Sequence, residues 1–159
     1  MNKLGGPRFL LTSTLLQAGR QWRRHCERVL AEHEISEARA TALLWVGRLG
    51  GGVRQVTLAA YVGVQGASIV RVLDELSAIG LIERRDDPDD RRVNGIWLTE
   101  AGGRLAGRIE TALSDLRDSL FADVSDADIE ATLRVFAALD RGEPASRDQP
   151  DSAQIGLST

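Results

Sequence analysis

The segment DDPDDRRVNGIWLTEAG, residues 86–102, joins an acidic turn, a short apolar strand and a helix start. Four of the five residues 86–90 are aspartate, and they surround a proline. An Asp-Pro pair favours a tight turn, because proline fixes φ and the aspartate side chain bonds its own backbone. The stretches LIERR, residues 81–85, and NGIWLT, residues 94–99, are both typical of strands. The segment therefore predicts a β-hairpin with an acidic tip, followed by a helix that Thr99 caps.

Helical periodicity lies on both sides of this hairpin. It predicts six helices: residues 8–30, Ser36 to the glycine cluster 50–52, 57–63, 65–80, Thr99 to about Leu120, and Ser125 to Gly142. Val53 and Val56 predict a short apolar connection with a single β-bridge. In the fourth helix, a buried face is predicted for Ile69, Val72, Leu73 and Leu76. A short helix capped by Thr57, a turn through Gly63 and this fourth helix predict a helix-turn-helix.

A hairpin directly after a helix-turn-helix predicts a winged helix-turn-helix, in a fold that is mostly α with a small β-hairpin wing. We expect an N-terminal helix over residues 1–34, the winged domain over 35–103, C-terminal helices over 104–142 and a disordered tail over 143–159. That tail carries Pro, Ser and Asp without any period.

Composition excludes several classes of protein. The net charge of −3 and a charged fraction of 27% are ordinary for a globular protein. A single cysteine forms no intramolecular disulfide, and the two histidines show no metal-ligand spacing, so we expect neither a metal nor a cofactor. Without a long apolar run or a signal peptide, a cytoplasmic location is expected. No catalytic triad, phosphate loop or carboxylate pair suggests an enzyme.

The acidic tip has two interpretations. In one, Asp90 holds one of its two neighbours, Arg91 or Arg92, in a charge-assisted pair. The other arginine is then presented to the DNA minor groove. In the other, the run is a solvated acidic turn between two strands. The position of the run directly after a helix-turn-helix favours the first interpretation.

At this point the chain resembles the MarR family of bacterial transcription regulators. SIVRVLDELSAIGLIERR, residues 68–85, followed by DPDDRRVNGIWLTEAG carries the resemblance, which covers roughly Ser36 to Arg104. It implies a homodimer whose N- and C-terminal helices interlock across a two-fold axis, so that two winged lobes reach successive major grooves. The chain departs from the family at Gln65, where a small hydroxyl residue is common, and at Val70, where Ser or Thr is common.

Candidate DNA-binding residues lie on the fourth helix and on the wing. Gln65 and Ser68 are near the helix start, where side chains reach base edges; the alternative for both is simple capping. Arg71 is predicted to contact a base or a phosphate, or else to pair with Glu75 four residues later. Two further arginines, Arg84 and Arg85, lie on the first wing strand, where one is expected to pair with an acid of the loop; they rank below Arg91 and Arg92.

Three residues of the first two helices are candidates for effector binding. Members of the family bind small aromatic acids, and the resemblance implies that Trp22 and Trp45 line such a pocket; the alternative is ordinary core. Cys26 shares the apolar stripe of Leu15 and Trp22, so we expect a buried thiol whose pKa is not lowered. Oxidant sensing at Cys26 stays open as an alternative.

The predicted function is a sequence-specific, double-stranded DNA-binding transcription regulator: a dimeric repressor released from a palindromic operator by a small ligand. The apolar faces of the terminal helices support dimerisation, with Leu15 and Trp22 at one end and Ile129, Leu133 and Phe136 at the other. The alternative is a winged-helix protein-interaction module without DNA binding, which the net charge of −3 favours.

Overall fold

The computed structural model describes residues 6–63, 66–86 and 94–139. The elements are α1 (Pro7–Ala31), α2 (Glu37–Arg48), α3 (Gln55–Val62), α4 (Gly66–Ala78), β1 (Ile82–Asp86), β2 (Asn94–Leu98), α5 (Glu100–Leu120) and α6 (Asp126–Phe136). This order confirms the predicted fold class, mostly helical with one antiparallel hairpin. The chain divides into two compact units, Met1–Leu120 and Phe121–Thr159. The predicted tail, residues 143–159, lies outside the described residues.

One apolar core holds the first unit together. Helix α2 lies at its centre and contacts α1, α3, α4, α5 and β2. The largest fully buried side chains come from α2, α3, α4, β2 and α5: Leu43, Val46, Leu58, Ile69, Leu73, Leu76, Ile96 and Ile109. Burying one such side chain contributes about 1.5–3 kcal/mol. Three of the four residues predicted for the buried face of α4 belong to this set, and the fourth, Val72, is half-buried.

The hairpin register places two neighbouring arginines on opposite faces. Arg84 is opposite Ile96 and Arg85 is opposite Gly95. Since side chains alternate along a strand, Arg84 shares the inner face with the buried Ile96, and Arg85 lies on the outer face. The predicted single β-bridge is confirmed, because Val53 pairs with Ile96 beside the hairpin.

The glycine cluster makes room for a wing tryptophan. Gly51 and Gly52 have φ values of 81° and 66°, in the left-handed region that favours glycine. A Cβ at Gly51 would lie 2.3 Å from the Trp97 ring, and one at Gly52 would lie 3.0 Å from it. The glycine cluster thus follows the end of α2 and leaves space for the Trp97 ring of β2 to pack against the loop.

Two predicted helix starts are confirmed by their capping bonds. The Gly102 N–H donates to Thr99 Oγ1 at 3.0 Å. The Asp128 N–H donates to Ser125 Oγ at 3.2 Å, and the Ser125 hydroxyl donates to the Asp128 carboxylate at 2.6 Å.

Two predicted boundaries are wrong. Thr57 does not cap α3, which begins two residues earlier after Arg54; Val56 therefore lies inside the helix and is 81% exposed. Helix α6 ends at Phe136 and residues 137–139 form a turn, whereas the predicted end at Gly142 lies outside the described residues.

The predicted start of α2 is confirmed, because Ser36 is its N-cap residue. The Ser36 hydroxyl accepts a bond from Arg39 Nε and not from a backbone N–H.

The N-terminal half of α1 leaves apolar side chains exposed. The predicted stripe is half-buried at Leu15 and Trp22 and buried from Cys26 onward. The exposed apolar residues lie nearer the start of the helix: Phe9 at 51%, Leu10 at 61%, Leu11 at 40% and Leu16 at 69%. Trp22 packs against the core of its own unit, whereas the dimer interface predicted at Leu15 and Trp22 stays a prediction.

The second unit contains α6, in which no described side chain is buried. Leu133 is 59% exposed, Phe136 38% and Leu139 63%.

No single helix among the described residues is long and apolar enough to cross a membrane. Helices α3 and α4 reach that length and apolar content only together, and they are bent by 104° at the turn between them.

Candidate nucleic-acid interface

Helices α3 and α4 form the helix-turn-helix. Helix α3 stops at Val62 because Gly63 adopts a left-handed conformation, with φ of 73°, and its N–H closes the last turn on the Ala59 carbonyl at 3.0 Å. Leu58 of α3 and Ile69 of α4 are completely buried. The buried face of α4 fixes its opposite face toward solvent, which is the face a DNA groove would meet.

The exposed face of α4 carries Ser68 and Arg71, as predicted. Gln65, the residue before α4, lies outside the described residues. The Arg71 side chain is 84% exposed, and its Nε donates to Glu75 Oε1 at 2.9 Å. The pair that was weighed against a DNA contact is therefore present. It uses one edge of the guanidinium, and within the described ranges the two terminal amino groups of Arg71 make no hydrogen bond.

The wing arginines are held by different partners. Arg84, on the inner face of β1, donates through Nη2 to Asp74 Oδ1 of α4 at 2.7 Å. Arg85, on the outer face, pairs with Glu83, and its guanidinium carbon lies 5.5 Å from the centre of the Trp97 ring. One of these arginines was predicted to pair with an acid of the loop; the acids of the wing loop lie outside the described residues, so this pairing stays a prediction. The wing tip, with Asp90, Arg91 and Arg92, lies outside the described residues.

A pocket lies among α1, α2 and α5, beside the helix-turn-helix. Trp22, Cys26 and Trp45 all line it, so the structure brings together the three residues predicted for effector binding. Its volume is about 180 Å³. The pocket walls also include Ala40 and Leu44 of α2 and Leu113 of α5. Both alternatives predicted for Trp22 and Trp45 therefore apply: each side chain packs against the core and also lines the pocket.

Charged side chains frame this pocket. Arg48 donates to both oxygens of Glu110, at 2.7 and 2.9 Å, and Glu37 pairs with Arg23 at 3.2 Å. The Arg117 guanidinium carbon lies 5.9 Å from the centre of the Trp22 ring, and no carboxylate pairs with Arg117 among the residues that the structure describes. The pocket therefore has a net positive wall. Sequence reasoning missed Arg48 and Arg117, since an arginine on an amphipathic helix carries no sign of its distant neighbours.

Trp45 also contacts the helix-turn-helix. Its ring centre lies 4.5 Å from that of Tyr61 of α3, with an angle of 34° between the ring planes. Such aromatic pairs contribute about 0.5–1.5 kcal/mol beyond burial alone. One side chain thus lines the pocket and packs against the first helix of the DNA-binding motif.

The Cys26 thiol is buried at the pocket wall. Burial raises its pKa above the ordinary value of a thiol and the Glu37 carboxylate raises it further, while Arg117 acts in the opposite direction. The expectation of a buried thiol whose pKa is not lowered is confirmed. Among the described residues, no group of three or more His, Cys, Asp or Glu side chains is placed to hold a metal ion.

Comparison with known proteins identifies the fold and the family. The model of the MarR family matches residues 33–93, from the end of α1 into the wing. The crystal structure of transcriptional regulator PA3341 is 30% identical, with a TM-score of 0.73 over 83% of this chain and 99% of that one. The transcriptional repressor CouR bound to a 23-mer DNA duplex is 25% identical, with a TM-score of 0.74 over 89% of this chain and 99% of that one.

A third structure, CouR from Rhodococcus jostii RHA1 bound to p-coumaroyl-CoA, is 24% identical, with a TM-score of 0.73 over 87% of this chain and 94% of that one. The likeness extends along nearly the whole length of each of these proteins. The chain has the winged helix-turn-helix, and the family model matches it over residues 33–93. The chain therefore belongs to the MarR family of DNA-binding transcription regulators.

Proposed function

We propose that this protein is a dimeric repressor that binds a palindromic operator and is released when a small aromatic acid occupies the pocket at Trp22, Cys26 and Trp45. The observation that carries this proposal is that Trp45 of α2 both lines the pocket and packs its ring against that of Tyr61 of α3. A ligand that displaces the indole ring acts directly on the helix-turn-helix. Because its target is DNA, we expect the protein in the cytoplasm.

The pocket favours a small, flat anion. Its volume of about 180 Å³ is below the roughly 300–1,000 Å³ of sites for drug-sized ligands, so it suits a single-ring acid. Two tryptophans offer surfaces for an aromatic ring, and Arg117 offers a cation for a carboxylate. CouR, which binds an aromatic acyl thioester, supports the aromatic preference. The pocket of the present chain, at about 180 Å³, is too small for the nucleotide part of such a thioester.

Release requires only that the ligand bind the DNA-incompetent arrangement more tightly. A coupling free energy of about 1–3 kcal/mol lowers DNA affinity by a useful factor. The aromatic contact between Trp45 and Tyr61 is of the right size to supply part of it, since such contacts are worth about 0.5–1.5 kcal/mol.

For DNA binding, we propose that α4 and the wing make different contacts with the operator. Ser68, Arg71 and Gln65 stand at the helix that would enter the major groove, and Arg91 and Arg92 stand at the wing tip, with Asp90 orienting one of them. Arg85 is a candidate phosphate contact from the outer face of β1. CouR, whose structure holds a DNA duplex, supports this mode of binding.

Dimerisation is proposed from the exposed apolar surface. Phe9 and Leu16 of α1 are more than half exposed, and so is Leu133 of α6. Exposed apolar patches of this kind mark protein interfaces. A second copy of the chain covers them in the arrangement that the family resemblance implies.

Two other functions are less well supported. Oxidant sensing at Cys26 needs an accessible thiolate, whereas this thiol is buried and its pKa is raised. A protein-interaction module without DNA binding would show no dependence of duplex affinity on salt, whereas a protein that contacts phosphates loses affinity steeply as salt rises.

The ligand proposal is tested with the Arg117→Gln variant. Benzoate and p-coumarate are titrated into the full-length protein bound to a fluorescent duplex, while tryptophan fluorescence and DNA anisotropy are recorded together. We expect quenching and release over the same range of concentration. Arg117→Gln should need about tenfold more ligand, because one charge-assisted hydrogen bond is lost, and should bind DNA normally without ligand.

Arg108→Gln is the matched control, since it makes the same substitution on α5 at a residue that does not line this pocket. Release at unchanged concentration in Arg117→Gln would contradict the role of this arginine. Quenching without release would contradict the proposal that the pocket controls DNA binding.

A further inference from the structure

The acidic side chains of α4 hold arginines from three elements. Asp74 accepts from Arg84 of β1 at 2.7 Å, and the next residue, Glu75, accepts from Arg71 at 2.9 Å through Oε1. The other Glu75 oxygen, Oε2, lies 3.8 Å from Nε of Arg39 in α2. Carboxylates on the face that meets DNA repel phosphate, so their presence there requires a compensating role.

From this arrangement we infer that Glu75 is a positioning residue that orients Arg71 for base recognition and so determines part of the operator specificity. The inference rests on the proposed function, in which α4 reads the operator. Glu75 itself does not contact DNA in this account; it acts through Arg71.

The geometry of the guanidinium explains how. The Arg71 Nε–H donates to Glu75, which restricts the orientation of the guanidinium, while the edge with the two terminal amino groups stays available. That edge is the one that makes a bidentate contact with O6 and N7 of guanine. The Arg71 side chain is 84% exposed. Without the bond to Glu75 it would lose more side-chain freedom when it binds DNA.

Glu75 is itself restrained. Arg39 lies within ion-pair distance of its second oxygen, and Arg39 Nε also donates to Ser36 Oγ at 3.1 Å at the start of α2. The Glu75 and Arg39 side chains are only 40% and 30% exposed. The carboxylate therefore has an arginine beside each of its oxygens, and in this proposal α2 contributes to the orientation of Arg71 on α4.

Glu75 affects affinity and specificity with opposite signs. Its negative charge repels phosphate and so lowers affinity for every duplex, whereas its hold on Arg71 raises discrimination between duplexes. If Glu75 had a purely structural role, its substitution would not change the order in which the protein prefers different duplexes. It would also not change the effect of substituting Arg71. Exposed ion pairs contribute little to folding stability, so a substitution here leaves the protein folded.

The test compares full-length wild type with Glu75→Gln, Arg71→Ala and the double variant. Each protein selects duplexes from a random pool, and its affinity is then measured for the preferred duplex and for single-base-pair variants of it. Glu100→Gln is the matched control, because Glu100 pairs with Arg104 in the same four-residue spacing on α5.

We expect Arg71→Ala to lose preference at one base pair of each half-site, by at least about fivefold, the low end of a bidentate contact. Glu75→Gln should weaken the preference at that same base pair while raising affinity for non-preferred duplexes. The double variant should discriminate no worse than Arg71→Ala alone, and Glu100→Gln should match wild type.

Two results would overturn the inference: a Glu75→Gln variant that changes affinity for all duplexes by one common factor, or an Arg71→Ala variant with unchanged base preference. A wild-type protein that binds no duplex in a salt-dependent way would instead overturn the proposed function itself.

Discussion

Cys26 lines the pocket where an effector is proposed to bind, together with Trp22 and Arg117. The reactivity of its thiol distinguishes a ligand signal from an oxidant signal. Because its pKa is raised, less thiolate is present at a given pH than in a free thiol. We therefore expect slow alkylation by iodoacetamide at pH 8, becoming faster only as the pH rises through the raised pKa. Mass spectrometry of the alkylated chain measures this rate against that of a denatured sample.

The same residue gives a functional prediction. Cys26→Ser should bind the operator and release it with an aromatic acid as wild type does. If peroxide released the wild-type protein but left Cys26→Ser bound, the cysteine would be the sensor and the ligand account would be wrong.

Among the elements, the start of α5 contacts the connection between α4 and β1 with backbone against backbone. A Cβ at Gly102 would lie 1.9 Å from the Leu81 carbonyl oxygen. Gly102→Ala should therefore lower the free energy of unfolding by about 1–3 kcal/mol, as forced overpacking does. Gly107→Ala, on the same helix with nothing within 4 Å of the added Cβ, should raise it by about 0.5–1 kcal/mol. Urea denaturation of both variants measures the difference, and equal stabilities would contradict this packing.

The elements themselves were predictable, and their long-range contacts were not. Apolar periodicity and the turn residues Gly63 and Gly80 are local signals, so the order of helices and strands followed from them. The start of α3 was misjudged because Thr57 resembles a cap while Arg54 does not. The pairing of Arg84 with Asp74 depends on the hairpin folding back onto α4, and no local pattern encodes that distance.

At the scale of the whole molecule, α1 provides the test of dimerisation. Phe9 and Leu16 are seven residues apart and share one face of the helix, and both are more than half exposed. Leu16→Glu should leave the protein folded, since exposed substitutions change stability by less than about 0.5 kcal/mol, yet should abolish the dimer and operator binding together.

Ala18→Glu, on the opposite face of α1 from Phe9, is the control and should remain dimeric. Light scattering at micromolar concentration reports the mass of each variant. A wild-type chain that is a well-folded monomer under these conditions would contradict the proposed assembly.

Selection of bound sequences from a random duplex pool by the wild-type protein tests whether the chain binds an operator as a symmetric dimer. We expect a two-fold palindrome with half-sites about one helical turn apart, because two winged domains related by a two-fold axis reach successive major grooves. Enrichment of a single, non-repeated site, or of no sequence at all, would contradict this expectation.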